Sequence, residues 1–278
     1  MFGAILGDVA GSRYEFSRPK GFNAKTVELF DNLSRYTDDT VLTVATKYAL
    51  LNGMPYGRAY GKFGRRYPKA GYGNMFRRWM MNHSSMPYNS FGNGAAMRVS
   101  FVAEYFDTLE KVEREAEKSA VCTHNHPDGI RGAKATAAAG YLARQGETKT
   151  KIADYLHKKY GYQVRKPLML YRPFSKFDAT ATGSMPLAIR CFLESDDWES
   201  CIRNVLSVLC DTDTVACIAG GIAEAFYKKT GFDDELLIRR YLIKPDDFGR
   251  FDTYLYDWAV KGVSENKTEN DKKDYAKN

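Results

Sequence analysis

The segment Tyr36-Thr37-Asp38-Asp39-Thr40-Val41-Leu42-Thr43-Val44 sets two adjacent carboxylates between two threonines and runs straight into an apolar stretch. A near copy, Asp211-Thr212-Asp213-Thr214-Val215-Ala216-Cys217-Ile218-Ala219-Gly220-Gly221, stands far along the chain. Capping accounts for part of this. Asp and Thr satisfy free N–H groups at a helix start and suit the positive end of its dipole. A cap needs one side-chain oxygen, however, and adjacent carboxylates repel. A hard divalent cation removes that repulsion, since Mg²⁺ takes oxygen ligands in near-octahedral geometry and keeps some water. Asp38, Asp39, Asp211 and Asp213 balance two such ions, and threonine hydroxyls add neutral oxygens. The spacing therefore fits two helix N-termini brought together around a binuclear Mg²⁺ site, with Mn²⁺ as a substitute. Thr37, Asp38, Asp39, Asp211, Asp213 and Thr214 are the candidate ligands. Softer metals are disfavoured, because Cys210 is the only thiol or imidazole beside the tetrads Thr37-Asp38-Asp39-Thr40 and Asp211-Thr212-Asp213-Thr214.

Outward from these segments, helical patterns dominate. A helix from the Thr37–Asp39 cap through Leu51 shows a broad apolar face of Val41, Leu42, Ala45, Tyr48, Ala49 and Leu51, and Gly53 ends it. Further helices are predicted over Ala95–Phe106, Leu109–Val121, the alanine-rich Gly129–Arg144, and Lys149–Tyr160. Pro186–Leu193, with proline in the first turn, Trp198–Leu209, Thr214–Lys229 and Asp233–Leu242 follow. Two-residue alternation is scarce; Tyr162–Tyr171 is ambiguous, and Pro167 weakens it as a strand. The expected fold is an all-α, compact multi-helix globule with functional loops between helices.

With 278 residues, 44% of them hydrophobic, the chain is long enough for a sizeable core. No Gly- or Pro-rich linker divides it, so one domain over residues 1–260 is expected. The polar segment 261–278 reads as a tail, disordered or frayed. The apolar N-terminus lacks a basic region and carries Asp8 early, which does not read as a signal peptide. Apolar stretches are interrupted too soon to span a membrane. Five cysteines without a C-x-x-C suggest reduced thiols and a cytoplasmic protein. The net charge of +7 is modest and dispersed. It reads as a solvated surface, and no nucleic-acid-binding motif accompanies it.

At this point the sequence resembles the ADP-ribosylglycohydrolases, the group containing the hydrolase that removes ADP-ribose from dinitrogenase reductase. The matching pieces run in order: Gly3–Phe16 (GAILGDVAGSRYEF), YTDDTVLTVA, Ser90–Val99 (SFGNGAAMRV), Thr123–Ala135 (THNHPDGIRGAKA) and Asp211–Tyr227 (DTDTVACIAGGIAEAFY). Together they are specific, and they cover roughly residues 1 to 230. The resemblance implies an all-α fold with two metal ions ligated by Thr37, Asp38 and Asp39 from one side and Asp211, Asp213 and Thr214 from the other. It implies that Glu15 closes on the metals and substrate. It implies that Ser90, Phe91, Gly92 and Asn93 wrap the diphosphate and adjoining ribose of an ADP-ribose moiety, with His124 beside the diphosphate. One departure stands out: Leu209-Cys210 occupies a place where family members often have two glycines.

The residues left by these motifs are read more plainly. Arg13 is surface charge or a phosphate contact, and Arg98 a structural ion pair or a phosphate contact. Cys122, His124 and His126 alternate as a zinc trio would, without a fourth ligand. His83 and His157 read as surface residues. The expected chemistry is cleavage at C1″ of the distal ribose through an oxocarbenium-like transition state. Asp38 or Asp39 orients the attacking water or takes its proton, and the residues do not say which. The favoured substrate is an ADP-ribosylated protein with an arginine-type N-linkage. Serine-linked or O-acetyl-ADP-ribose remains open, as does a binding protein that holds ADP-ribose without turnover.

Overall fold

Small residues decide how the two ends of the sequence meet. Helix α1 (Phe2–Ser12) lies along α11 (Thr212–Tyr227), with Gly3, Gly7 and Gly11 spaced four apart on the contact face. A Cβ at Gly7 would fall 2.2 Å from the carbonyl oxygen of Ala216, and one at Gly11 would fall 2.5 Å from that of Thr212. Only glycine admits this backbone approach. It brings Asp8, midway along α1, beside the first turn of α11.

The computed structural model describes residues 1–245 and 250–262. They form thirteen α-helices, short 3₁₀ turns and one pair of two-residue strands, β1 (Lys244–Pro245) and β2 (Phe251–Asp252). The fold is all-α. Helix α2 (Asp38–Leu51) is buried almost all round from Asp39 to Ala49, not merely on one face. Two of its inward polar groups bond to other elements: Thr43 Oγ1 donates to Met97 O at 3.2 Å, and Lys47 Nζ donates to Ala259 O at 2.8 Å. That second bond ties α2 to α13 (Tyr254–Val260), where Trp258 also packs edge-on against Tyr48 at 4.5 Å. The alanine-rich α7 (Pro127–Arg144) fills the interior between α6 (Leu109–Val121), α9 (Ala181–Leu193) and α11. Its small side chains allow that close packing.

Several expected boundaries move. The helix expected over Ala95–Phe106 is divided into a 3₁₀ turn, Asn93–Ala95, and α5 (Ser100–Tyr105). Pro186 does not open its helix. Chain entry is at Thr180, whose hydroxyl accepts from Gly183 N–H at 3.1 Å, so α9 starts at Ala181 and carries Pro186 inside it. Helix α10 (Trp198–Leu206) stops short of Leu209, and α11 starts at Thr212, which places Asp213 in its first turn. Tyr162–Tyr171 forms no strand and ends in a 3₁₀ turn at Leu168–Leu170. Helices α3 (Tyr56–Arg66) and α4 (Asn74–Met81) were not expected. Helix α8 (Lys149–Tyr160) ends at Gly161, at φ +73°, and α12 (Asp234–Leu242) is capped by Asp233, both as expected. The expected disordered tail, from residue 263 onward, lies outside the described residues.

Candidate active site

The start of α2 is capped from outside itself. Asp8, fully buried on α1, accepts from the N–H groups of Thr37 at 2.9 Å and Thr40 at 3.1 Å, and from both threonine hydroxyls. The Thr37 hydroxyl also accepts from Asp39 N–H at 3.3 Å. The donors left unpaired in the first turn are thus met by Thr37 and by a carboxylate from another helix. Asp38 and Asp39 are left for other work.

Across from α2, the first turn of α11 presents Asp211 and Asp213. Thr214 Oγ1 donates to Asp39 Oδ2 at 3.2 Å, so the two helix starts touch. Asn93 Nδ2 donates to Asp211 Oδ2 at 2.8 Å and to Ser184 Oγ at 2.9 Å. Oxygens of Asp8, Asp39 and Asp213 lie within 4.8 Å of one another, and so do those of Glu15, Asp211 and Asp213. The two triads share Asp213. Asp39 Oδ1 is buried and has no hydrogen-bond partner.

Burial pushes every one of these carboxyls upward, and the charges of neighbouring carboxylates add to it at Glu15, Asp38, Asp39 and Asp213. Asp8 rises to about 6 by burial alone, against the donors that face it. Glu15 rises to about 7 through burial and the Asp211 charge, and Asp38 to about 8 through burial and the Asp8 charge. Asp39 and Asp213 go well above the usual carboxylate range for the same two reasons, and burial raises Asp211. An orphaned buried oxygen and all-oxygen triads this close fit hard divalent cations. The donor set is compatible with a metal site.

Glu15, Asp38, Asp39, Asp211 and Asp213 line a cavity of about 610 Å³, whose wall is also formed by His124 and by Ser90, Gly92, Asn93 and Gly94 of one loop, with Asp8 fully buried behind it. The loop is fixed by an antiparallel bridge to the segment before α9: Asn93 N–H donates to Ala179 O at 2.9 Å, and Ala181 N–H donates to Phe91 O at 3.0 Å. Gly129 lies under it, where a Cβ would come within 2.7 Å of Ser90 O. His124 is buried with Nδ1 2.8 Å from Thr123 Oγ1. Burial and the Arg98 charge hold its imidazole well below its ordinary pKa, hence neutral. At the rim, Phe16 and Phe177 stack with ring centroids 6.1 Å apart.

Of the expected site residues, the structure gathers Glu15, Thr37, Asp38, Asp39, Asp211, Asp213, Thr214, Ser90, Gly92, Asn93 and His124 around this one cavity. Asp38 lines it but stands outside both triads. Phe91 is not brought in: it is 54% exposed and turns its ring toward His126, 5.6 Å away. Asp8 was missed as a site residue. Its signal was present, since a carboxylate within a helix of small apolar residues must find partners when that helix is buried.

Other expectations resolve locally. Arg98 forms no ion pair among the described residues; it donates to Ser119 O and Thr123 Oγ1 and lies 4.0 Å over the Tyr60 ring. Arg13 pairs with Asp31 at 3.4 Å. The zinc-like trio does not converge, because Cys122 bonds back to Ser119 O and His126 caps α7 through Asp128 N–H. Leu209 is exposed and Cys210 buried, and neither lines the cavity.

Fold and site together define an all-α protein with an acidic, metal-compatible centre in a cavity of small-ligand size. The chain belongs to the ADP-ribosylglycohydrolase family, whose model matches residues 1–251, and it is accordingly a hydrolase of that family. ADP-ribosylhydrolase ARH3 of Bos taurus is 26% identical over 306 residues, covering 82% of this chain and 83% of the relative. The Homo sapiens ARH3 is likewise 26% identical, over 313 residues, with 82% and 84% covered. A putative ADP-ribosyl glycohydrolase, L543, of Acanthamoeba polyphaga mimivirus is 23% identical over 285 residues, with 83% and 86% covered. A solved "ADP-ribosylglycohydrolase-related protein complex" superimposes with a TM-score of 0.66 at 19% identity, covering 86% of this chain and 91% of that one, which shows the shared fold. No described helix is long and apolar enough to cross a membrane.

Proposed function

We propose that this protein is a Mg²⁺-dependent hydrolase that cleaves the bond between the distal ribose of ADP-ribose and a protein side chain, with an arginine-type N-linkage favoured. The observation that carries this reading is the pair of carboxylate triads sharing Asp213, beside an unpartnered Asp39 oxygen, all but the buried Asp8 in the wall of a ligand-sized cavity. The first triad, with Thr37 and Thr214 nearby, would hold one ion, and Asp211 and Asp213 of the second would hold another, with Glu15 closing on it. When bound, the ions supply charge neutralisation and acidify a water. Asp38, outside both triads, is the carboxylate left to face the reacting atoms, to orient the attacking water and to accept its proton. A carboxylate there also suits a guanidinium leaving group, which is the support for the arginine linkage.

Asn93 fixes Asp211 from behind, and the Ser90 hydroxyl and the small Gly92 and Gly94 of one loop leave room beside it for the diphosphate. Neutral His124 stands beside that loop as a hydrogen-bonding group without charge. Glu15, half-buried, closes the acidic wall from the end of α1 and is the group most able to swing with substrate. Residues 1–260 are read as one domain, supported by the return of α13 onto α2, and five unpaired cysteines support a cytoplasmic setting. The test is release of ADP-ribose from ADP-ribosyl-arginine and from ADP-ribosyl-serine peptides in Mg²⁺, with and without EDTA. Turnover of the arginine compound that EDTA stops is expected. ADP-ribose binding without turnover of any such compound would make the protein a binder instead.

A further inference from the structure

Arg98 borders the catalytic cavity, yet none of its surface is exposed, and its Nε and Nη1 are buried without a hydrogen-bond partner. A guanidinium so enclosed does not touch a ligand. It acts through the groups it holds: Nη2 donates to Ser119 O at 2.7 Å and to Thr123 Oγ1 at 2.9 Å. Thr123 is fully buried as well, and its Oγ1 lies 2.8 Å from His124 Nδ1. A chain of hydrogen bonds thus runs from the guanidinium to the imidazole. Its direction follows from which groups can give a proton. Arginine only donates, so Thr123 Oγ1 accepts from it. Cys122 spends its thiol on Ser119 O, and the Tyr88 phenol, which also faces Thr123, brings a proton of its own. Nδ1 is then the acceptor left for the single Thr123 proton. Charge points the same way. An Nδ1–H would aim its positive end toward the guanidinium beyond the same oxygen, whereas an Nδ1 lone pair faces it favourably. With Nδ1 accepting in a neutral ring, Nε2 carries the proton. A Cβ would fall 3.1 Å from Nε2 at Gly94 and 3.7 Å from it at Gly92, so Nε2 lies beside the two glycines of the Ser90–Gly94 loop. It forms no hydrogen bond to a described residue.

We propose that Arg98 is a positioning residue, which through Thr123 holds His124 as the Nε2–H tautomer and turns that N–H toward a diphosphate beside the Ser90–Gly94 loop. The diphosphate rests on the function proposed above, whereas the tautomer rests on the hydrogen-bond geometry alone. The arrangement matters because the opposite tautomer would meet phosphate oxygens with a lone pair on Nε2, which repels them. A charge that never reaches the ligand thereby decides whether the residue that does reach it donates or repels.

The experiment reads the imidazole nitrogens of the full chain by heteronuclear NMR, with Thr123→Val and Thr123→Ser beside the wild type. In the wild type, His124 is expected to show a protonated Nε2 and a bare, hydrogen-bonded Nδ1. Thr123→Val removes the hydroxyl at nearly constant shape. Its Nδ1 signal should leave the hydrogen-bonded position, and its ADP-ribose affinity by calorimetry should fall about tenfold, as for one hydrogen bond to a charged group. Thr123→Ser keeps the hydroxyl and should restore both. A wild-type His124 protonated at Nδ1 would overturn the proposal, and that measurement stands even where Thr123→Val does not fold. Weaker ADP-ribose binding in Thr123→Val with unchanged His124 signals would overturn it too, since a merely structural threonine gives that result. So would a displaced Nδ1 signal with full affinity. A wild type that binds ADP-ribose but hydrolyses no ADP-ribosyl compound counts against the hydrolase reading instead, and the nitrogen signals and the ADP-ribose affinity then still decide the role of Arg98.

Discussion

The two acidic helix starts carry nearly the same residues and are held in different ways. At α2, the backbone donors are met by Thr37 and by Asp8 from α1, so the cap comes from outside the Asp38-Asp39 pair. At α11, Asp211 makes no side-chain cap bond, and Asn93 from a distant loop holds its carboxylate. The difference separates two jobs that a sequence cannot distinguish. At α2 the acidic pair is free because another helix has supplied the cap. At α11 one acid is oriented by the same loop that lines the ligand cavity, which couples the two halves of the site.

Asp213→Asn strikes the point where the halves meet. Because Asp213 belongs to both triads, we expect it to lower kcat on the order of 10³-fold, since metal-assisted catalysis is worth several kcal/mol and each 1.36 kcal/mol is tenfold. Mg²⁺ stoichiometry by calorimetry should fall with it. Near-normal turnover with two ions still bound would dissolve the shared-ligand picture. Asp8→Ala breaks the α2 side alone. It orphans two buried N–H groups and two hydroxyls, and a loss of about 2–4 kcal/mol in denaturant unfolding is expected even in EDTA. An unchanged midpoint would mean that α2 is capped without it.

Asn93→Ala breaks the α11 side. Groups that orient metal ligands are typically worth about 10- to 100-fold in metal affinity or activity, and a rise in the Mg²⁺ concentration needed for half-maximal rate is the expected sign. Glu15→Gln should cost about tenfold in kcat, about 1.4 kcal/mol of barrier, with Mg²⁺ affinity little changed. Recovery of the full rate at high Mg²⁺ would assign Glu15 to metal binding alone. The smallest effect is on stability. The carboxyls raised from 3.8 or 4.5 to about 6, 7 and 8 hold protons longer in the folded chain than in the unfolded one. Metal-free stability must therefore fall as pH rises through that window. Mg²⁺ should raise the Tm more at its upper end than below it, and a Tm gain independent of pH would contradict this.

Much of the fold was legible. Gly53 and Gly161 mark the ends of α2 and α8, and the alanine run marks α7, because turn chemistry and helix propensity are local. Both acidic motifs announced themselves by an excess of oxygen over what a cap uses. Pro186 misled, because proline tolerates a helix interior when tertiary packing holds the turn, and no local signal reveals that. Helix α13 was silent in the sequence, since its stability comes from Trp258 and the Lys47 bond to its end rather than from propensity.

By itself, then, the sequence determined the residue types of the site: paired aspartates with threonines at two helix starts, a glycine loop, and small residues along α1. Only the tertiary structure decided which of them meet. The glycine-lined contact of α1 with α11 carries Asp8 under α2, makes Asp213 common to both triads, and leaves Asp38 outside them. Phe91 was turned out of the cavity by the bridge that pins its backbone to Ala181. A second concavity beside it draws its walls from residues 35–36, 65–70, 242, 244–245 and 252, which no window of sequence joins. Spacing along the chain fixes neighbours within one helix, whereas proximity between helices depends on which side chains are small enough to let the backbones approach.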